Sequence, residues 1–96
     1  MSVPAANAER VVRIRQRLGD AFAPECLEVV DDSHRHVGHA GAREGRGHFA
    51  VRIVSDAFEG LAPLARHRAV YSALGSMMDT DIHALSIEAR TPAEAG

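Results

Sequence analysis

The stretch from Phe58 to Arg90 constrains the fold most, because the pattern of an amphipathic helix is followed there by that of a half-buried strand. Pro63 suits the first turn of a helix, where its missing amide hydrogen costs no hydrogen bond. Apolar side chains and one histidine then recur at steps of three and four residues: Leu64, His67, Tyr71, Leu74 and Met78. This spacing predicts a helix that packs one apolar face on a core.

The strand that follows has a histidine near its beginning. Leu85 and Ile87 alternate with Ser86 and Glu88, which predicts a strand with one buried face. His83 has the same parity as Leu85 and Ile87. The residues alone therefore favour a structural histidine that lies among core side chains and hydrogen-bonds to a nearby backbone carbonyl.

The N-terminal part of the chain has the pattern of a helix over residues 7–18, with Asn7 as its cap and Gly19 as its stop. Its apolar stripe consists of Val11, Ile14, Leu18 and Phe22. Three arginines on the other side are interpreted as a solvated face: Arg10, Arg13 and Arg17.

Two strands are predicted next. The first covers residues 26–31, with Leu27 and Val29 on one face, and a long polar loop follows it. The second runs from His48 to Val54 and is the clearest strand of the chain, since apolar residues alternate with His48 and others on a wet face. Its buried face consists of Phe49, Val51 and Ile53.

The order of elements is helix, strand, strand, one or two helices, strand, which predicts an α+β fold. The first two strands can pair antiparallel, and the connection over residues 55–81 is long enough for a helical crossover to a parallel third strand. We expect a three-stranded mixed sheet with helices on one face, in a single domain over residues 1–96 whose ends, residues 1–6 and 91–96, are frayed.

Charge and composition limit the possible functions. A formal net charge of −2 over 96 residues lacks the basic excess that drives binding to phosphate backbones. Because the N-terminus has no signal-peptide pattern and the chain no apolar stretch that could span a bilayer, we predict a soluble, cytoplasmic protein without membrane contact. Cys26 is the only cysteine, which excludes an internal disulfide. No pattern of a nucleophile, a phosphate loop or paired carboxylates indicates an enzyme.

Six histidines in so short a chain are the most informative count, since histidine binds metals and titrates near neutral pH. Three of them lie in the polar, glycine-rich loop between the two predicted strands, residues 32–47: His34, His36 and His39. Taken alone, this loop is more typical of a polar connection than of a metal site, because no CxxC or helical two-ligand spacing accompanies it. His67 is interpreted as structural, and His48 as a further possible ligand ranked below His36.

In combination, several segments resemble the BolA family. They are 27–33 (LEVVDDS), the histidine-bearing loop, 48–51 (HFAV), 54–55 (VS), 58–60 (FEG), 66–74 (RHRAVYSAL), 82–87 (IHALSI) and 91–92 (TP). They occur in the family's order and cover about two thirds of the chain. The Arg-His-Arg and His-Ala-Leu segments are the most specific.

This resemblance implies an αββααβ fold of the class II KH type and a small adaptor protein that partners monothiol glutaredoxins. It implies a role in iron–sulfur cluster assembly, cluster trafficking or iron homeostasis. The expected cofactor is a [2Fe–2S] cluster shared with the glutaredoxin and glutathione, with none in the isolated chain. His83 matches the family's C-terminal ligand, and His36 matches the loop ligand, with His39 as the alternative. We expect a monomer that forms a heterodimer with its partner.

The donor set agrees with a shared site. A [2Fe–2S] cluster needs four ligands, and histidines can replace two thiolates on one iron. This chain has one thiol, so it cannot complete a four-cysteine site. One departure from the family concerns its C-terminal tryptophan, whose place is taken by Ala95; a terminal helix would therefore be poorly anchored.

The family also contains transcriptional regulators that bind DNA, which gives an alternative function. Arg66 and Arg68 are the candidate contacts for an anion, a partner or nucleic acid. RNA binding of the KH kind is disfavoured, because the Gly-x-x-Gly position retains only Gly60 and has Glu59 beside it.

Overall fold

The computed structural model describes residues 5–32 and 47–96. Three strands, β1 (Cys26–Asp31), β2 (Gly47–Val54) and β3 (Ile82–Arg90), form one sheet in the order β1-β2-β3. β1 pairs antiparallel with β2, and β2 pairs parallel with β3. The mixed three-stranded sheet predicted from the order of elements is therefore confirmed.

Four helices complete the described part: α1 (Ala5–Phe22), α2 (Pro63–Leu74), α3 (Met77–Thr80) and α4 (Pro92–Ala95). A single 3₁₀ turn, Asp56–Phe58, follows β2. The αββααβ order holds, with α4 added at the end. α1 does not stop at Gly19 as expected but continues to Phe22, where Ala23 ends it at a positive φ of 43° and donates its amide hydrogen to the Gly19 carbonyl, 3.0 Å away.

The core lies between the helices and one face of the sheet. The predicted inward residues of β2 are buried there against the predicted α1 stripe, with side chains from α2 and α3 completing the layer. The fully buried members include Ile14, Leu18, Phe49, Val51, Ile53, Val70, Leu74 and Met77. The alternation of β2 and the period of α1 thus identified the core correctly.

α2 is rotated relative to its predicted apolar face. Leu64 and Tyr71 are 61% and 41% exposed, whereas Arg66, Val70 and Leu74 are buried. These three residues are four apart, so they form one row along the helix. Counting apolar residues gave the wrong face because the buried row contains an arginine.

The arginines of α1 are not simply solvated, in contrast to the prediction. Arg10 and Arg13 both bind one carboxylate oxygen of Asp81 at 3.1 Å, and Arg17 donates to the Leu74 carbonyl at 3.1 Å. The Thr80 hydroxyl donates to the other Asp81 oxygen. We call this group of Arg10, Arg13, Thr80 and Asp81 the Asp81 cluster; it fixes α1 to the residues that lead into β3.

The C-terminal residues are ordered, although residues 91–96 were expected to be frayed and poorly anchored. Thr91 and Glu94 form a capping box around α4. Glu94 also accepts two hydrogen bonds from Arg66, whose Nε donates to the Leu61 carbonyl at 2.8 Å and whose Nη1 donates to the Ala89 carbonyl at 3.1 Å. A bidentate ion pair between Arg66 and Glu94 therefore anchors α4. At the other end Ala5 already belongs to α1, and residues 1–4 lie outside the described residues.

Candidate metal site at the start of β3

A β-bulge determines where His83 points. Gly47 pairs with Ile82 and the next residue, His48, pairs with Ala84, so His83 is the extra residue of β3. Ile82 turns inward and is 1% exposed, whereas His83 and Ala84 are both exposed. The parity argument that put His83 among core residues is therefore wrong, because strict alternation does not survive a bulge.

The outward turn brings His83 beside His48. The two ring centroids are 5.0 Å apart and the ring planes are inclined by 49°. His48 was expected on a wet face but is only 7% exposed, while His83 is open to solvent. Two imidazoles from neighbouring strands thus meet on the outer side of the sheet.

The backbone around the two rings is held on both sides. The Gly47 amide donates to the Asp81 carbonyl at 3.0 Å, which closes the start of the β2–β3 pair. On the other side of β2 the Asp32 amide donates to the His48 carbonyl at 2.7 Å. The Asp81 cluster holds the residues just before His83. The hydrogen bond from Thr80, then the hydrogen bond from Arg10 and the charges of Arg13 and Arg10, lower the pKa of the Asp81 carboxyl below its ordinary value.

The predicted loop ligands His36 and His39, and His34 with them, lie outside the described residues. The segment that contains them leaves the sheet after Asp32 and returns at Gly47. Both of these positions are hydrogen-bonded at the end of the sheet that carries His83. The connection therefore begins and ends next to the two imidazoles.

Cys26 lies at the opposite end of the sheet. It is exposed and pairs with Val54, which is six residues along β2 from His48 and therefore about 20 Å away. A thiolate there cannot bind the same ion as His83. Among the described residues no group of three or more histidine, cysteine or acidic side chains converges on a possible metal position.

The two candidate arginines differ from each other. Arg66 is buried in α2 and is bound to Glu94, to the Ala89 carbonyl near the end of β3 and to the Leu61 carbonyl just before α2. Arg68 is exposed on the same helix. His67 between them is half-buried. Arg68 is therefore the more accessible of the two predicted contacts.

Sequence reasoning missed the Asp81 cluster and the anchor of α4. The second could have been found, because Thr91 and Glu94 have the spacing of a capping box. No sequence pattern near Asp81 indicates that its partners are arginines about seventy positions away. Within residues 5–32 and 47–96, no helix has the length and apolar character needed to cross a bilayer.

Comparisons with known proteins agree with this architecture. The family model described as "BolA-like protein" matches residues 18–94. SufE-like protein 1 of Arabidopsis thaliana is 46% identical over 94 residues, which is 93% of this chain and 25% of that protein. The DNA-binding transcriptional regulator BolA of Escherichia coli (strain K12) is 46% identical over 79 residues, 82% of this chain and 72% of the relative.

A solved structure shows the same fold. The BolA domain of SufE1 from Arabidopsis thaliana superimposes with a TM-score of 0.80 at 47% identity, covering 88% of this chain and 94% of that domain. The present chain thus spans nearly all of a separately solved domain, although it spans only a quarter of the full-length SufE-like protein. The chain belongs to the BolA-like protein family.

Proposed function

We propose that this chain is an adaptor that binds a monothiol glutaredoxin and supplies imidazole ligands to a [2Fe–2S] cluster shared with that partner and glutathione. The observation that carries the proposal is the exposed His83 on its β-bulge. Bulges re-aim side chains and occur next to functional sites. No catalytic reaction is assigned, and the role we propose lies in cluster assembly, cluster trafficking or iron homeostasis.

The ligand chemistry supports a shared site. Histidine can replace cysteine at one iron of a [2Fe–2S] cluster, but the other iron still needs sulfur ligands. The only thiol of this chain lies about 20 Å along the sheet from His48, the neighbour of His83. Sulfur for such a cluster has to come from another molecule, and a glutaredoxin with glutathione provides two thiolates.

For the second imidazole we keep the residues expected from the family resemblance, His36 with His39 as the alternative. The connection between β1 and β2 starts at Asp32, whose amide is bonded to the backbone of His48. An extended chain of four residues reaches about 14 Å, so His36 is within range of the site, and His39 can approach from either end of the connection. The reach of the chain is compatible with either choice.

The support around His83 also favours ligation. Metal ligands bind best when their backbone is fixed before the metal arrives. Here the residue two positions earlier, Asp81, is fixed by its side chain to α1 and by its carbonyl to Gly47. The ring of His83 is exposed while the chain that carries it is held in place.

The proposal is tested by mixing the purified protein with a glutaredoxin that carries its cluster and recording visible absorption and circular dichroism. We expect the wild-type protein to change both spectra, and His83→Ala to produce no such change. His36→Ala and His39→Ala, measured in parallel, identify the second ligand. His67→Ala is the matched control, because this histidine lies on α2 and should leave the response intact. An identical response of wild type and His83→Ala would overturn the proposal.

DNA binding is the second candidate function, favoured by the similarity to the Escherichia coli protein described as a DNA-binding transcriptional regulator. The exposed Arg68 is the contact we propose, whereas Arg66 is already bound to Glu94. The test is the slope of the logarithm of DNA affinity against the logarithm of salt concentration. We expect Arg68→Ala to reduce the size of this slope by about one, the contribution of one phosphate contact. A slope near zero for the wild-type protein would contradict this function.

A further inference from the structure

We propose that His48 and His83 form a two-imidazole site that binds one divalent transition-metal ion such as Zn²⁺ on this chain alone, without a partner protein. Both residues belong to the described strands, and their rings face each other across the bulge. The site shares His83 with the proposed function, but it requires neither a glutaredoxin nor a residue of the β1–β2 connection.

The ring separation fits a common ion. A zinc–nitrogen bond is about 2.0–2.1 Å long, so a bound ion lies about 3.2 Å from each ring centroid. At a tetrahedral angle the two centroids are then about 5.2 Å apart. The observed separation is 5.0 Å. The separation of the two rings therefore matches that of two imidazoles bound to one tetrahedral ion.

The two ligands differ in a way that suits an ion arriving from solvent. His48 lies on the central strand and is almost fully buried, which fixes its ring. His83 is exposed and can turn onto an ion. A shallow cleft of about 240 Å³ is lined by Asp32, His48 and Ala84 and gives room for water molecules on the His48 side of the proposed site.

Ring packing alone would produce a similar distance, since aromatic rings commonly pack with centroids about 4.5–7 Å apart. The two explanations are separated by His48→Phe, which retains the packing of two rings but removes the nitrogen donors of His48. The bulge places Ile82 in the core and His83 outside, the reverse of what regular pairing of β3 would give. Turning an imidazole outward beside a second imidazole contributes little to the core, but it creates a pair of nitrogen donors.

The test is isothermal titration of ZnCl₂ into the isolated 96-residue chain. We expect one ion per chain, with affinity about tenfold or more weaker in His48→Phe, which retains an aromatic ring, and in His83→Ala. His67→Ala and a variant with alanine at positions 34, 36 and 39 should bind like the wild type. No zinc binding, unchanged binding in His48→Phe, or loss of binding in the triple loop variant would each overturn the inference.

A second measurement serves if His48→Phe does not fold. The ring ¹⁵N resonances of His48 and His83 in the wild-type protein should both shift on addition of zinc, while those of His67 should not. A shift of His83 together with a loop histidine, and none of His48, would overturn the site.

The outcome is distinguishable from that of the proposed function. If zinc does not bind but His83→Ala abolishes the response to a cluster-loaded glutaredoxin, only this inference fails. If zinc binds at His48 and His83 but the glutaredoxin spectra never change, only the proposed function fails.

Discussion

The two ends of β3 are built for different purposes. At its C-terminal end Arg66 and Glu94 form a bidentate pair, Arg66 also donates to two backbone carbonyls, and Glu94 takes part in the capping box of α4. At its N-terminal end a bulge presents an exposed imidazole beside a second histidine. One end closes the structure, and the other presents donor atoms to solvent.

This contrast shows that the contacts around a charged or titratable residue indicate whether it is available to bind another molecule. Arg66 matched a family motif and was a candidate contact, yet the structure uses it as an anchor for α4. His83 had the parity of a core residue, yet it is exposed. The following predictions test this contrast, beginning with the largest effect.

Ile82→Ala should have the largest effect, because the bulge turns this side chain into the core, where it is 1% exposed. We expect the free energy of unfolding to fall by about 3 kcal/mol, measured by urea denaturation. If β3 were paired regularly, residue 82 would lie outside and the substitution would be nearly neutral.

Asp81→Ala should come next. The Asp81 carboxylate is largely buried and binds two arginines and Thr80, so its removal breaks both ion pairs and the hydrogen bond from Thr80. We expect a loss of about 2 kcal/mol in the free energy of unfolding, again from urea denaturation. Asp79→Ala, in the short helix α3 just before Asp81 but exposed, serves as the control and should change stability by less than about 0.5 kcal/mol. Equal effects of the two substitutions would contradict the role assigned to the Asp81 cluster.

Glu94→Gln should destabilise the protein less than Asp81→Ala, because this ion pair is partly open to solvent. Its hydrogen bonds from Arg66 lower the pKa of Glu94 from 4.5 to about 2. Since the folded-state pKa lies below the unfolded one, the contribution is complete above pH 4.5 and is lost as the pH falls toward 2.

The check is a series of thermal unfolding curves of wild type and Glu94→Gln between neutral pH and pH 2. The difference between their midpoints should be constant near neutrality and should shrink through that acidic window. A difference that does not change with pH would show that the charge of Glu94 is not what anchors α4.

His83→Ala should have the smallest effect on stability, below about 0.5 kcal/mol, because the ring is exposed at the start of an edge strand. The same urea measurement tests it. A loss of several times this size would mean that the residue supports the fold, which would remove the contrast between the two ends of β3.

Much of the fold could be predicted because it follows from periodicity. Burial follows directly from two patterns: the alternation of Phe49, Val51 and Ile53 in β2, and the stripe of Ile14 and Leu18 in α1. Side-chain contacts between distant segments could not be predicted, since they depend on which surfaces meet. The rotation of α2 and the ion pair of Arg66 with Glu94 both result from tertiary contacts.

The site was predictable only in part. His83 was identified through a resemblance, whereas its orientation depends on a bulge that alternation cannot reveal. The proximity of His48 follows from the same bulge. The ligand predictions at His36 and His39 remain predictions, as do the contact at Arg68 and the glutaredoxin partner.

The most direct test of the central claim is pulsed EPR on the reduced complex of the ¹⁵N-histidine-labelled protein with a cluster-loaded glutaredoxin. The account predicts strong coupling of the cluster electron spin to histidine nitrogen from this chain, and loss of the His83 contribution in His83→Ala. A reduced complex without any such coupling, or with the same coupling in wild type and His83→Ala, would contradict it.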